Sequence, residues 1–371
     1  MDKRLIGQWY KEELGETLNI FDAEPPRMKV SFSSSGYYNF DPNCAYEKDG
    51  WLCYEINDDH YRMVYHLKID GENDDVMTGF YTQFSKETLV TYARVSHEPE
   101  DGEFRYAPTE IMVPGTDKTR VEILRQYADY DRGHKTEPYS TEYTLGGELP
   151  EVLEKYGYRG YIDGIAHDDD RLAFANLDFV CDHWKHDGTS GMPNDRTVAG
   201  LIAFCEDHNN SINCRGLAMI LATLLRYCGI KARHITCMPY EEPFYDCHVV
   251  VDCELPSGKR VMIDPTYRLY AHDKNGEYVS LPRLRQMLID GEEYFPNDGA
   301  SYNGIGFDVN EQREYMTKNT LRFSRGTWFV DGAEERSKRC VQLIPKDYPT
   351  VKFSDRQIEE FVYDDEEFWK M

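Results

Sequence analysis

The segment SINCRGLAMILATLLRYCGIKAR, residues 211–233, constrains the fold more than any other stretch of the chain. Leu217, Leu221, Leu224, Leu225 and Cys228 recur at helical spacing on one face, and Ala218 and Ala222 leave room for close packing against a second element. A helix is therefore expected over residues 214–228, buried rather than lying on the surface. Gly229 stands just past its end, where a residue without Cβ readily takes the left-handed conformation that stops a helix.

The start of this helix carries chemistry. Ser211 or Asn213 can cap it, which places Cys214 in the first turn, among unpaired backbone N–H groups at the positive end of the helix dipole. A free thiol titrates at about 8.5, and a helix start combined with an imidazolium lowers that to roughly 3.5–7.5. Cys214 thus has the position of a nucleophile. Its base is expected from Cys247-His248-Val249-Val250-Val251, an apolar strand in which a lone imidazole needs a partner. After a tight hairpin at Pro256-Ser257-Gly258, Asp264 follows in VMIDPTY on the neighbouring strand. Antiparallel pairing can bring His248 and Asp264 to one face, so that the carboxylate orients the imidazole and stabilises its cation.

The rest of the chain divides by texture. At 371 residues, with 40% hydrophobic and 13% aromatic content including 28 Tyr, it is long enough for two domains and too rich in ring surface to be disordered. From residue 5 to about 95, short aromatic and β-branched runs (LIGQWYKE, MKVSFSS, GYYNF, WLCYEI, YRMVYHLKI, VMTGFYTQF, TLVTYARV) alternate with turn clusters. That spacing predicts an antiparallel meander closing into a small barrel or sandwich. The segment DRLAFANLDFVCDHWKHDG and the run RTVAGLIAFCEDH, with Asn194-Asp195 as a cap, predict two further helices. Helices followed by strands give the second half an α+β layout. The expected limits are 1–115 for the β domain, 116–148 for a connecting region, 149–345 for the catalytic domain and 346–371 for an acidic C-terminal tail.

A formal charge of −25, from 67 acidic against 42 basic side chains, repels phosphate backbones and anionic head groups, so neither nucleic acid nor membrane is expected as a partner. The acidic residues run along the whole length, as a solubility feature would. The start MDKRLIGQWYKEEL lacks the apolar core of a signal peptide, and no run of about 18 apolar residues occurs, which makes the cytoplasm the expected compartment. The ten Cys are then expected reduced. They show no C-x-x-C spacing, which argues against zinc, and no glycine-rich phosphate loop is present; no metal or organic cofactor is expected.

Two resemblances follow. Gly7-Gln8-Trp9 resembles the G-x-W start of lipocalin-like barrels. NCRGLAMILATLLRYCGIKAR, then DCHVVVD, then VMIDPTY are similar to the three core motifs of the transglutaminase-like superfamily, in order: a Cys opening a buried helix that ends in G-I-x-A-R, a His on the next long strand, then D-P-T. The likeness covers about residues 150–300, with similar texture to about 345, and is nearer to bacterial members than to the animal cross-linking enzymes. One departure is Ile212, where the family often has Gly two residues before the Cys. The resemblance implies a papain-like Cys214-His248-Asp264 triad. The oxyanion of acyl transfer needs donors. The backbone N–H of Cys214 supplies one by position, and the resemblance implies Trp184 as the second, against the alternative of a half-buried indole at a helix end.

The expected function is thiol-dependent hydrolysis of an amide bond in a peptide or protein, through an acyl-enzyme. Transfer to an amine, as in a protein-glutamine acyltransferase, shares these steps and stays open. A non-catalytic binding protein of the same fold also stays open.

Overall fold

A computed structural model of the chain describes residues 1–12, 16–32, 36–38, 45–58, 61–69, 71–83, 86–100, 113, 116–134, 142–143, 151–240, 246–326, 328–330, 333–334, 340–349 and 359–371. It divides into two compact units, Met1–Ile111 and Met112–Met371.

The first unit is an antiparallel meander. Its strands are β1 (Gly7–Lys11), β2 (Glu16–Phe21), β3 (Arg27–Phe32), β4 (Gly36–Tyr38), β5 (Ala45–Lys48), β6 (Trp51–Asp58), β7 (Tyr61–Lys68), β8 (Val76–Gln83) and β9 (Lys86–Ser96). They form one nine-stranded sheet in the order β4-β3-β2-β1-β9-β8-β7-β6-β5. Because β1 pairs with β9, the sheet curls back on itself around Leu18, Ile20, Tyr54, Tyr65, Leu67 and Tyr92. Trp9 is fully buried, donates from Nε1 to the Leu5 carbonyl at 2.8 Å, and carries the Arg94 guanidinium 4.0 Å above its ring. Gly7, at φ +134°, passes so close to the Ser96 carbonyl that no Cβ would fit.

Strands β2 and β5 lie outside the expectation from sequence. β2 escapes notice because its buried set includes Glu16 and Asn19, where a half-buried strand should point apolar residues inward. Glu16 is compensated by an ion pair with Lys11 Nζ at 2.7 Å and by the hydroxyls of Tyr54 and Tyr92, which donate to it at 3.2 and 2.7 Å.

The second unit begins with α1 (Arg120–Gln126), β10 (Glu142–Tyr143), α2 (Glu151–Glu154), α3 (Tyr158–Ile162), α4 (Arg171–His183), β11 (Lys185–His186), α5 (Val198–Asp207) and β12 (Ser211–Ile212). The buried helix α6 (Cys214–Tyr227) follows, then β13 (Lys231–Met238), β14 (His248–Glu254) and β15 (Arg260–Ile263). Next come β16 (Ala271–His272), α7 (Leu281–Asp290), β17 (Phe295–Pro296) and α8 (Val309–Asn319). The chain closes with β18 (Arg322–Gly326), β19 (Trp328–Val330), β20 (Ala333–Glu334), β21 (Cys340–Leu343), β22 (Glu359–Val362) and α9 (Asp365–Trp369).

Its centre is a six-stranded sheet in the order β15-β14-β13-β18-β21-β22. Both faces are covered, so β14 reads as a near-continuous apolar run. Val249, Val251 and Cys253 meet α4, α5 and α6 on one side, while Val250 meets α1, α7, α8 and α9 on the other. Helix α6 ends as expected: Gly229 takes φ +79°, and Ile230 N–H closes back on the Leu225 carbonyl at 3.0 Å. Asn194-Asp195 does not cap α5; Thr197 does, its side chain accepting from Gly200 N–H, while Asp195 in turn accepts from Thr197.

Two segments are more integrated than their composition suggests. Within the region expected to be a connection, α1 starts with a Thr119–Glu122 capping box and buries Ile123 and Leu124 in the second unit's core. The segment expected to be an acidic tail supplies β22, which pairs in parallel with β21, and α9, whose Phe368 and Trp369 are buried. Acidic side chains dominate the composition there, but Phe361, Val362, Phe368 and Trp369 decide the packing. Arg233 and Arg260, both paired with the buried Asp252, donate to the carbonyls of Lys370 and Trp369 at 2.7 and 2.9 Å and hold α9 down. No helix among the described residues is long and apolar enough to cross a membrane.

Candidate active site

Cys214 is the first residue of α6. Of the two candidate caps it is Asn213 that serves: Oδ1 accepts from Gly216 N–H at 3.1 Å, and Nδ2 donates to the Ser190 carbonyl at 3.0 Å. Helix geometry leaves the N–H of Cys214 without an intrahelical partner. Ile212, the departure noted above, is fully buried and folds over the first helical turn. Gly216 makes that possible, since a Cβ there would fall inside the Ile212 side chain.

His248 opens β14. That strand pairs Val251 with Ile263, so one further step along the register sets position 264 abreast of Val250 on the face that His248 shares. Diagonal neighbours on one face of an antiparallel pair are within reach of long side chains. His248 Nε2 and Asp264 Oδ2 are 2.6 Å apart, with both side chains almost wholly buried. The second carboxylate oxygen accepts from Thr266 N–H at 2.9 Å, and the backbone of Asp264 exchanges two hydrogen bonds with Leu269. With Nε2 so engaged, Nδ1 is the ring atom left for the sulfur. The rings of Tyr315 and Tyr267 stand edge-on to the imidazole, at 5.1 and 5.9 Å.

Burial disfavours charge on Cys214, but hydrogen bonds from His186 and His248 outweigh it and bring the thiol down to about 5. Burial likewise opposes protonation of His248, yet the adjacent Asp264 carboxylate and the Cys214 sulfur raise it to about 10. Both shifts favour the thiolate–imidazolium form of the pair. Cys214 differs in this from its neighbours: burial pushes Cys53, Cys181, Cys237 and Cys253 up, Cys205 to about 12 and Cys247 to about 11. None of the nine described cysteines is in a disulfide.

The structure thus brings Cys214, His248 and Asp264 together. Trp184 is buried in a cluster with Tyr156, Phe179 and His183, and none of its described contacts is with Cys214. β11 pairs in parallel with β12, placing His186 beside Ile212 and so beside the start of α6, while Trp184 lies two residues further back. His186 is the residue that sequence reasoning missed. A lone His in a polar WKHDG segment has no local signal, and only the β11–β12 pairing shows where it goes. Among the described residues, no group of three or more His, Cys, Asp or Glu is placed to hold a metal ion.

No protein-family model and no curated protein matches this chain. Among solved structures it is similar to a candidate protease from Parabacteroides distasonis, with 9% identity over 58% of this chain and a TM-score of 0.26. The chain spans 40% of that structure's own length. It is also similar to the periplasmic domain of TgpA from Pseudomonas aeruginosa, at 16% identity over 70% of this chain and 75% of that one, TM-score 0.25. A candidate cysteine protease from Cytophaga hutchinsonii matches at 12% identity over 78% of this chain and 85% of that one, TM-score 0.24.

Proposed function

We propose that this chain is a thiol-dependent amide-bond hydrolase of the transglutaminase-like kind, acting on a peptide or protein through an acyl-enzyme on Cys214. The observation that carries the proposal is the Cys214–His248–Asp264 chain: a thiol held near 5 beside an imidazole bonded at 2.6 Å to a buried carboxylate. That arrangement stores the proton where the leaving group needs it. The Cys214 sulfur attacks the carbonyl carbon, a C–S bond forms, and the π electron pair moves onto oxygen. As the tetrahedral adduct collapses, the C–N bond breaks and His248 gives its Nδ1 proton to the departing amine. Water then attacks the thioester, with His248 now accepting a proton, and releases the acid and the thiolate. Asp264 keeps its proton balance throughout; its part is to hold the ring and its charge.

The test is mass spectrometry of the intact chain treated with a p-nitrophenyl ester of an acylated amino acid, followed by tryptic mapping. An acyl adduct on Cys214 that decays in water, and its absence in Cys214→Ala, is the expected result. A competing primary amine in the same reaction reads out transfer as a second product. The proposal fails if no adduct forms while iodoacetamide labels Cys214 no faster than the buried thiols.

A further inference from the structure

The site holds a second imidazole that the Cys-His-Asp chain does not use. His186 stands beside the start of α6 and helps lower the Cys214 thiol, yet its setting differs from that of His248. Where His248 leans on a carboxylate, His186 Nδ1 meets the hydroxyl of Tyr302 at 3.0 Å. Asn303 clamps the His186 backbone from both sides, its Oδ1 accepting from His186 N–H at 2.8 Å and its Nδ2 donating to the His186 carbonyl at 3.0 Å. Asn303 holds φ +53°, a left-handed conformation that Asn tolerates better than most residues. The pairing of His186 with Ile212 fixes the same segment against the helix start. The ring is thus held by its own backbone, by a neighbouring strand and through Nδ1, which leaves Nε2 to face the sulfur.

We infer that His186 is the side-chain donor of the oxyanion site, its Nε2–H pairing with the backbone N–H of Cys214 to stabilise the tetrahedral oxygen; this rests on the acyl-enzyme reading above. Two features divide the labour. Nδ1 is engaged by the Tyr302 hydroxyl, and when that hydroxyl donates, the ring's hydrogen sits on Nε2. Such a ring is a fixed donor. It also meets the sulfur independently of the Asp264-bound imidazole, and the oxygen of an attacked carbonyl lies one bond beyond that sulfur. When the C–S bond forms, negative charge leaves sulfur for oxygen, and a donor already touching the thiolate needs little movement to follow it.

Two reactions at one thiolate separate this role from general activation of Cys214. Alkylation by iodoacetamide makes no oxyanion; acylation by a p-nitrophenyl ester does. Both are measured at a pH well above the thiol's titration, in the whole chain, for wild type, His186→Leu, His186→Gln and His248→Ala. The expected result for His186→Leu is acylation slowed about 10²–10³-fold, the usual cost of one lost oxyanion donor, with alkylation within a few-fold of wild type. His186→Gln, which restores an N–H donor, should recover at least part of that loss. Retained fast alkylation shows that the site of His186→Leu is still folded. Unchanged acylation in His186→Leu, or an equal fall in both reactions, overturns the inference. A wild-type chain that alkylates quickly but never acylates overturns the acyl-enzyme reading instead.

Discussion

His248 Nε2 and Asp264 Oδ2 sit 2.6 Å apart in a space that excludes water, at the junction of two adjacent strands. The remaining carboxylate oxygen is already committed to Thr266 N–H, so the group has no freedom to turn. Asp264→Asn keeps that second bond and the volume but removes the charge behind the imidazole. Turnover should fall about 10³–10⁴-fold with the fold intact, as expected when a histidine loses its orienting carboxylate. Circular dichroism alongside ester-hydrolysis kinetics checks this; near-normal turnover would remove Asp264 from the mechanism.

The pH dependence of alkylation follows from the same pair. With Cys214 brought to about 5, the iodoacetamide rate should rise through that pH and then level off, instead of rising near the usual value of 9.0. In His248→Ala the inflection should move up by more than one pH unit. An inflection near 9.0 in the wild type would show that the thiolate is not stabilised at rest.

Stability should carry the matching signature. The contribution of Cys214 is present above its unfolded value of 9.0 and is lost as pH falls through about 5. That of His248 is complete below its unfolded value of 6.5 and is lost as pH rises through about 10. Between 6.5 and 9.0 the two proton balances cancel, because the folded chain holds one proton more on His248 and one fewer on Cys214. The Tm difference between wild type and the Cys214→Ala, His248→Ala double variant should be flat across that window and shrink on both sides. A difference that kept growing toward pH 5 would contradict these signs.

Ile212 and Gly216 interlock at the start of α6. Gly216→Ala forces a Cβ into the β-branched part of Ile212 and should cost about 1–3 kcal/mol, the usual range for overpacking. In the double variant Ile212→Ala, Gly216→Ala the two losses should not add, since removing Ile212 clears the space. Urea unfolding of the four chains in this cycle measures the coupling; simple additivity would mean that the contact is not the cause.

Phe368 is fully buried on the inner face of α9, in a segment whose composition reads as an acidic tail. Phe368→Ala should cost about 3–5 kcal/mol, as truncating a core aromatic does, and a stability change under about 1 kcal/mol would restore the view of that segment as a tail.

What the sequence determined by itself was whatever could be read over one or two turns of chain. The buried helix opening at Cys214 and stopping at Gly229 follows from the spacing of Leu217, Leu221 and Leu224 and from one residue that takes φ +79° readily. The hairpin carrying His248 and Asp264 follows from two apolar runs around Pro256-Ser257-Gly258. Tertiary structure alone decided which polar residue joined the thiol from outside these elements. His186 and Trp184 are two positions apart in one segment, and the β11–β12 register sends the first to Cys214 and the second into an aromatic cluster. The same holds for Glu16, an unlikely core residue until Lys11, Tyr54 and Tyr92 surround it, and for α9, whose anchoring guanidiniums lie more than a hundred residues away. Local pattern reports which face of an element is apolar; it carries no record of the distant partner that makes a buried charge or a lone imidazole affordable.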